Sequence, residues 1–120
     1  MTQILKKSIP ALNIRVGHQA RELILKEGLQ AHHVDTIPGA AGGPKGIGLI
    51  GLDQAIFGDF LPQSKQRRFL IGSSVGAWRF AGIVAQGEKK GPAKLAELYT
   101  HLPFHKKMKI ADIEKISRDM

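Results

Sequence analysis

The sequence feature that most restricts the fold is a glycine-serine turn between two apolar runs of different character. Residues 69–71 form a short β-like run that ends in Gly72-Ser73-Ser74-Val75-Gly76, after which the apolar residues follow a helical spacing. In a G-x-S-x-G turn, the two glycines make room for a sharp strand-to-helix bend that exposes the central hydroxyl. The stretch predicts a nucleophile elbow centred on Ser74, although the pentapeptide alone is equally typical of an ordinary glycine-rich turn.

A second glycine-rich stretch, Pro38–Gly46, also lies between a predicted strand and a predicted helix. Such a turn exposes backbone N–H groups that can hold an anion against the start of the helix. A Walker A loop is excluded, because Lys45 has Pro44 before it and Gly46 after it, where that motif needs Gly and Ser or Thr. A dinucleotide-binding loop also fits poorly, since no acidic residue ends the next strand near Leu70.

The order of the predicted elements indicates an α/β fold with a parallel sheet and helices on both of its faces. Alternation of apolar and polar residues, or a β-branched run, marks the strands, and apolar residues at helical spacing mark the helices. We predict strands at 12–16, 34–37 and 69–71, and helices at 20–27, 47–57, 75–86 and 92–102. The last segment, 109–117, has the spacing of a short amphipathic helix, and a fraying chain end is the alternative.

Composition excludes several classes of protein. The chain has 120 residues, which suits one domain with a modest core, and its lack of cysteine excludes a disulfide framework, a thiolate nucleophile and cysteine-ligated zinc. Lys6 and Lys7 are not followed by a long apolar run, so we expect no secretory signal and, by default, a cytoplasmic protein. Residues 69–86 are the most apolar window, but Arg79 and three glycines interrupt it, so we expect a buried core and no membrane span. His32 and His33 have no acidic or histidine partner at a ligand spacing, so we expect them to be surface residues and expect no metal site.

The net charge of +8 is concentrated in the second half of the chain. Residues 1–60 hold six Lys and Arg against five Asp and Glu, whereas residues 61–120 hold twelve against five. A basic half can contact nucleic acid or an anionic membrane surface, or can simply be a solvated face. Because few aromatic residues are interleaved with the basic clusters, we expect no nucleic-acid binding, and peripheral contact with a membrane stays open.

The two special turns together resemble the N-terminal part of the patatin-like phospholipases. In that family a loop of the form G-G-G-x-(Lys or Arg)-G precedes a G-x-S-x-G elbow by about thirty residues. Here the loop is Ala41-Gly42-Gly43-Pro44-Lys45-Gly46, with alanine in place of the first glycine, and the elbow is Gly72, Ser74 and Gly76. The resemblance covers roughly residues 12–100, and it implies a three-layer α/β/α fold of which this chain holds the N-terminal portion.

The resemblance implies a serine hydrolase of fatty-acyl esters that uses a Ser-Asp dyad and no cofactor. Ser74 would be the nucleophile, and the stretch containing Gly42, Gly43, Lys45 and Gly46 would form the oxyanion hole. The aspartate of the family lies in a downstream Asp-Gly turn. Here none of the five aspartates is followed by glycine: Asp35, Asp53, Asp59, Asp112 and Asp119. We therefore expect one incomplete domain over 1–120, with the loop at 39–46, the elbow at 72–76, and little or no hydrolase activity in isolation.

Two alternatives to a lipid acyl hydrolase stay open. The chain could be an inactive homologue whose glycine loop, Pro38–Gly46, binds an anion or a nucleotide. It could also act as an interaction surface, because a sheet of three parallel strands cut from a larger one has an unpaired edge that favours self-association. The residues do not identify which acyl ester a hydrolase of this kind would cleave.

Overall fold

The structure, a computed structural model, describes residues 11–103 and 107–119, and it divides the chain into two compact units, 1–30 and 31–120. In the first unit, helix α1 spans His18–Glu27 and ends at Gly28, whose backbone has φ 74° and whose N–H donates to the carbonyl of Ile24. Residues 1–10, on which the expectation of no secretory signal depends, lie outside the described residues.

The predicted strand at 12–16 is absent from the structure, so this prediction is wrong. The segment has no regular secondary structure, and its apolar side chains Leu12, Ile14 and Val16 are exposed. Alternating residues form a stable strand only when a neighbouring strand pairs with them and an apolar surface covers one face. Within the described part of the first unit there is no second strand that could provide this pairing.

The second unit contains a two-stranded parallel sheet. Strand β1 spans Thr36–Gly39 and strand β2 spans Phe69–Gly72, in a register that places Thr36 beside Phe69 and Gly39 beside Gly72. The first of these strands begins two residues later than the predicted 34–37. Val34 lies outside the strand, and its carbonyl accepts hydrogen bonds from Gln66 Nε2 and Arg68 Nε at 2.8 and 2.9 Å.

A long helical segment of varying pitch connects the two strands. It begins with a 3₁₀ stretch over Gly43–Leu49, continues as α2 over Ile50–Ala55, and then passes through one π-helical stretch, Ile56–Phe60, and a last 3₁₀ turn, Leu61–Gln63. The predicted helix at 47–57 lies inside this segment. Its start was misplaced because the glycine-rich loop itself is already helical from Gly43 onward.

Three further helices complete the described chain. Helix α3 spans Val75–Gln86 as predicted, α4 spans Lys90–Thr100, and α5 spans Ile110–Asp119. Helices α3 and α4 approach closely at Gly82 and Gly91, where a Cβ atom on Gly91 would overlap the backbone of Gly82. The buried apolar residues come mainly from α3 and the elements around it: Ala31, Leu61, Val75, Phe80 and Ile83.

Helices and a small parallel sheet are compatible with the predicted α/β class. The described residues contain two strands rather than the three that the sequence predicted, and both lie in the second unit. In the described part of the chain, no helix combines the length and the apolar character that crossing a membrane requires.

Candidate active site

Ser74 lies in a strained turn between β2 and α3. Its backbone has φ 52° and ψ −123°, and it is the one non-glycine residue with positive φ among the residues that the structure describes. A side chain in this region of backbone space costs about 1–3 kcal/mol, and such strain occurs mainly at functional sites. The sequence pattern therefore placed the strained residue correctly, at the centre of G-x-S-x-G.

Hydrogen bonds on both sides hold the turn in this conformation. The N–H of Ser73 donates to the carbonyl of Gly39 in the neighbouring strand at 2.9 Å. The carbonyl of Ser74 accepts hydrogen bonds from the N–H groups of Ala77 and Trp78 at 2.9 and 3.2 Å, which begins the first turn of α3. The sheet and the helix thus fix the residues before and after Ser74, and the side chain of Ser74 is exposed.

Both elbow glycines are required by close backbone contacts. A Cβ atom on Gly72 would overlap the backbone N and Cα of Ala77, and a Cβ atom on Gly76 would overlap the carbonyl of Gly39. Neither obstacle is a flexible side chain that could move aside. The sequence predicted that these glycines make room for a sharp bend, and the structure identifies the backbone groups for which the room is needed.

The glycine loop and the elbow lie at the same end of the sheet. Because the strands are parallel and Gly39 is in register with Gly72, the chain leaves both strands at neighbouring points. Gly39 also packs against the ring of Phe80 on α3, so closely that a Cβ atom added to Gly39 would lie 2.7 Å from that ring. Parallel strands commonly place ligand-binding loops together at their carboxyl ends in this way.

The four predicted oxyanion-hole residues have different environments. Gly43, with φ 56°, begins the 3₁₀ stretch directly after Gly42, and among the described residues neither N–H group donates a backbone hydrogen bond. The N–H of Lys45 instead donates to the carbonyl of Gly42 at 3.3 Å. Gly46 is buried against Val75, and a Cβ atom added to Gly46 would lie 2.7 Å from the valine side chain. Gly42 and Gly43 are therefore the candidate oxyanion donors of this set, because their N–H groups have no backbone acceptor within the described chain.

Sequence analysis did not single out Val75 as an oxyanion donor. Val75 is the first residue of α3, and within the described chain its N–H donates no backbone hydrogen bond. In nucleophile elbows, the N–H after the nucleophile is one of the usual oxyanion donors. The general rule that the first N–H groups of a helix are unpaired is the signal that could have identified it.

A groove of about 510 Å³ is lined by residues of the glycine loop and by Val75, the residue after Ser74, but not by Ser74 itself. Loop residues such as Pro38, Ala41 and Lys45 line one part of it, and apolar residues of the helical segment, including Leu52 and Phe57, line another. Most of this surface is apolar, which suits a hydrocarbon or another apolar group better than a strongly charged ligand.

A buried ion pair between Asp53 of α2 and Arg79 of α3 lies in the wall of the same groove. Arg79 Nε donates to Asp53 Oδ2 at 2.7 Å, and Arg79 Nη2 donates to Asp53 Oδ1 at 2.5 Å. Arg79 is only 8% exposed and Asp53 only 2%. Hydrogen bonding to Asp53 raises the pKa of Arg79 above its ordinary value, against the opposing effect of burial. The guanidinium also lies 5.7 Å from the centre of the Phe80 ring.

Sequence analysis did not predict this pair. In the sequence, Asp53 and Arg79 are each a single charge in an otherwise apolar predicted helix, and this was the only sign of their pairing. A pairing between residues that are 26 positions apart depends on how α2 packs against α3, and no local pattern encodes that packing.

Among the described residues, no aspartate forms a hydrogen bond with the side chain of Ser74. Asp53 is held by Arg79, Asp35 lies at the start of β1 and thus at the opposite end of the sheet, and Asp59 is exposed on the helical segment. Asp112 accepts a hydrogen bond from the N–H of Lys109 at the start of α5. The two turns therefore provide a candidate nucleophile and candidate oxyanion donors, and within the described chain no aspartate is hydrogen-bonded to that nucleophile.

Comparisons of the chain with protein-family models, curated proteins and solved structures gave no match.

Proposed function

We propose that this chain carries the nucleophile and oxyanion half of a patatin-like serine hydrolase that cleaves fatty-acyl esters. The observation that carries the proposal is the conformation of Ser74, with φ 52° and ψ −123° at a strand-to-helix turn whose neighbour is the glycine loop. A strained residue needs support from its surroundings, and here that support comes from two glycines that no other residue can replace. The proposal includes the three-layer α/β/α fold of that family, of which the two-stranded sheet would be one part.

In the proposed reaction, Ser74 Oγ attacks the carbonyl carbon of an ester. The carbonyl π electrons move to oxygen, and the N–H groups of Gly42, Gly43 and Val75 donate hydrogen bonds to the resulting oxyanion. One such donor contributes about 3–4 kcal/mol to stabilising the transition state of acyl transfer. Collapse of the tetrahedral intermediate breaks the ester C–O bond, releases the alcohol and leaves an acyl-serine, which water then hydrolyses to the fatty acid.

The hydroxyl proton of Ser74 must pass to a base during the attack. The resemblance assigns this role to an aspartate in an Asp-Gly turn, and no such turn occurs in the sequence. A serine at its normal pKa is a poor nucleophile without a base. We therefore propose that the 120-residue chain reacts slowly with strong acylating or phosphonylating reagents and has little or no steady turnover.

The substrate class proposed is a lipid ester. The groove of about 510 Å³ beside the loop is mostly apolar, and the basic second half of the chain could favour contact with an anionic membrane surface. Binding to vesicles of anionic phospholipid, compared with vesicles of neutral phospholipid at the same salt concentration, tests this contact. Equal binding to both would remove the electrostatic part of the proposal.

The alternative function is an interaction module, and the free edge of β2 favours it. Phe69 and Ile71 lie two positions apart on this strand, and thus on one face of the sheet, and they are 56% and 63% exposed, which leaves an apolar face beside that edge that a second copy could cover. Light scattering over a range of protein concentrations tests self-association, and a monomer at every concentration would exclude it.

The anion-binding form of the alternative predicts that inorganic phosphate protects residues 38–46 from proteolysis.

Labelling with a fluorophosphonate tests the hydrolase proposal. The reagent phosphonylates an activated serine, and peptide mass spectrometry identifies the residue that carries the adduct. We expect labelling at Ser74 that the substitution Ser74→Ala abolishes. Ser73→Ala is the matched control, because Ser73 is the adjacent exposed serine and its substitution should leave labelling intact. A folded wild-type chain without any adduct at Ser74 would overturn the proposal.

A further inference from the structure

The helical segment that begins at the glycine loop contacts the elbow helix α3 near the loop, at a buried ion pair, and further along, where the ring of Phe57 lies 5.9 Å from the ring of Phe80. The first is near the loop, where Gly46 packs against Val75. The second is the buried pair of Asp53 and Arg79, seven residues further along the segment and four residues further along α3. One contact would let the segment pivot, whereas separated contacts fix its direction relative to α3.

The second contact is directional as well as close. Two parallel hydrogen bonds between a guanidinium and a carboxylate hold both groups in one plane, so the pair restricts rotation in a way that apolar packing does not. Its stability alone does not explain its presence, because well-packed apolar residues of the same volume are often as stabilising as a buried ion pair. A role in fixing orientation is the better-attested use of such pairs.

We infer that Asp53 and Arg79 are positioning residues that hold the N–H groups of Gly42 and Gly43 at the correct distance from Ser74. This inference rests on the proposed function, because it assigns the pair to the reaction at Ser74. Neither residue touches the substrate. The pair acts through the helical segment, whose first residue is Gly43.

The size of the expected effect follows from the geometry of the segment. Gly43 lies three residues before the contact at Gly46, which is about 6 Å along a 3₁₀ helix, so a rotation of about 10° about that contact displaces Gly43 by about 1 Å. A displacement of 1 Å in a catalytic site can lower the rate by about 100-fold. Loss of the pair should therefore slow the reaction of Ser74 while the fold is retained.

The test replaces both charges together, so that no charge remains buried without a partner. We compare the wild-type chain with Asp53→Leu/Arg79→Met, and we use Lys94→Met/Glu97→Leu as the matched control. The control pair is also joined by a hydrogen bond, at 3.0 Å, but it is exposed on α4. The melting temperature of each protein is recorded first, to establish that it is folded. Two quantities are then measured: the rate of fluorophosphonate labelling at Ser74, and amide hydrogen exchange in peptides covering 38–49 and 75–86.

We expect the buried-pair variant to be labelled about 10- to 100-fold more slowly than the wild type. Its exchange should rise in peptides from 38–49 and stay unchanged in 75–86, and its melting temperature should stay within a few degrees. The control variant should match the wild type in both measurements. Labelling and exchange that are unchanged in the buried-pair variant would overturn the inference and leave the proposed function intact.

Failure of the proposed function gives a different result. If the wild-type chain is folded but unlabelled, both the proposed function and the role of the pair in that reaction are wrong. Hydrogen exchange alone then decides whether the pair holds the loop. If the double variant does not fold, Arg79→Lys replaces it, because lysine keeps the charge but loses the two parallel hydrogen bonds. A folded Arg79→Lys variant that is labelled at the wild-type rate would then overturn the inference.

Discussion

Gly76 in the first turn of α3 lies directly against the carbonyl group of Gly39 at the end of β1, with no room between them for a Cβ atom. This contact joins the two turns of the candidate site. Because Gly39 also accepts the hydrogen bond from Ser73, any change that separates α3 from β1 at this point also disturbs the turn that holds Ser74. The contact is therefore the most sensitive point at which to test the site.

Gly76→Ala should destabilise the protein strongly. The added methyl group would overlap a backbone carbonyl that is fixed in the sheet, so α3 must move, at a cost of about 2–4 kcal/mol in the free energy of unfolding. Urea denaturation followed by circular dichroism measures this change. Gly51→Ala is the control, because nothing lies within 4 Å of a Cβ at this exposed position in α2.

For Gly51→Ala we expect the opposite sign, a gain of about 0.5–1 kcal/mol, since alanine has the higher helix propensity. A loss for Gly76→Ala no larger than about 0.5 kcal/mol would show that α3 and β1 are not in contact as described.

Ser74→Gly should stabilise the protein while it abolishes labelling. Glycine adopts a positive φ without the steric cost that serine has at φ 52°, so we expect a gain of about 1 kcal/mol after the greater flexibility of glycine in the unfolded chain is subtracted. Ser73→Gly is the control and should lose about 0.5–1 kcal/mol, because Ser73 has no positive φ to relieve. A loss of stability in Ser74→Gly similar to that of the control would contradict the strained conformation.

The parts of the structure that the sequence predicted are those that depend on local chemistry. The elbow, the helix at 75–86 and the strand before it follow from residues within a few positions of one another, and all three are present. Gly72 and Gly76 were predictable because only glycine fits such a bend. The strand at 12–16 was wrong because its formation requires a partner strand, and alternation of residue types cannot reveal whether one exists.

The candidate site was predictable only in part for the same reason. Ser74 and the glycine loop were visible as motifs. Only the backbone geometry reveals that the N–H of Lys45 is used within the loop and that the N–H of Val75 donates no backbone hydrogen bond within residues 11–103 and 107–119. The pairing of Asp53 with Arg79 required the packing of two helices that are distant in sequence. Motifs thus identified the residues of the site, and tertiary packing determined which of their groups can act.

Asp53→Asn should be far more destabilising than removal of both charges. The amide keeps the shape of the carboxylate but leaves the buried guanidinium of Arg79 without a counter-charge, at a cost of about 3–5 kcal/mol. Urea denaturation at neutral pH measures the change. Asp59→Asn is the control, since Asp59 is exposed on the same helical segment and should change stability by less than about 0.5 kcal/mol.

If Asp53→Asn and the control lost equal amounts of stability, the buried pair would not exist in solution. A loss of about 3–5 kcal/mol in Asp53→Asn combined with near-wild-type stability in Asp53→Leu/Arg79→Met would show that the pair contributes orientation rather than net stability.

Arg68 should be a major contributor to stability outside the site. Its guanidinium donates hydrogen bonds to the carbonyls of Val34, Ser64 and Ala31 at 2.9, 3.2 and 3.0 Å, and thereby joins the segment before β2 to the segment before β1. Arg68→Met keeps the length of the side chain but removes all three charged hydrogen bonds, at a cost of about 2–3 kcal/mol, although Gln66 still donates to the carbonyl of Val34.

The neighbouring residue provides a matched control for Arg68→Met. Arg67 is exposed, with its guanidinium 5.5 Å from the centre of the Phe69 ring, so Arg67→Met removes the same charge and should cost about 0.5–1 kcal/mol at most. Urea denaturation of the two variants compares them directly. Equal losses would mean that the charge itself, which both variants remove, determines stability. A loss at least twice as large for Arg68→Met would mean that the three hydrogen bonds hold the starts of β1 and β2 together, and with them the register that places Gly39 beside Gly72.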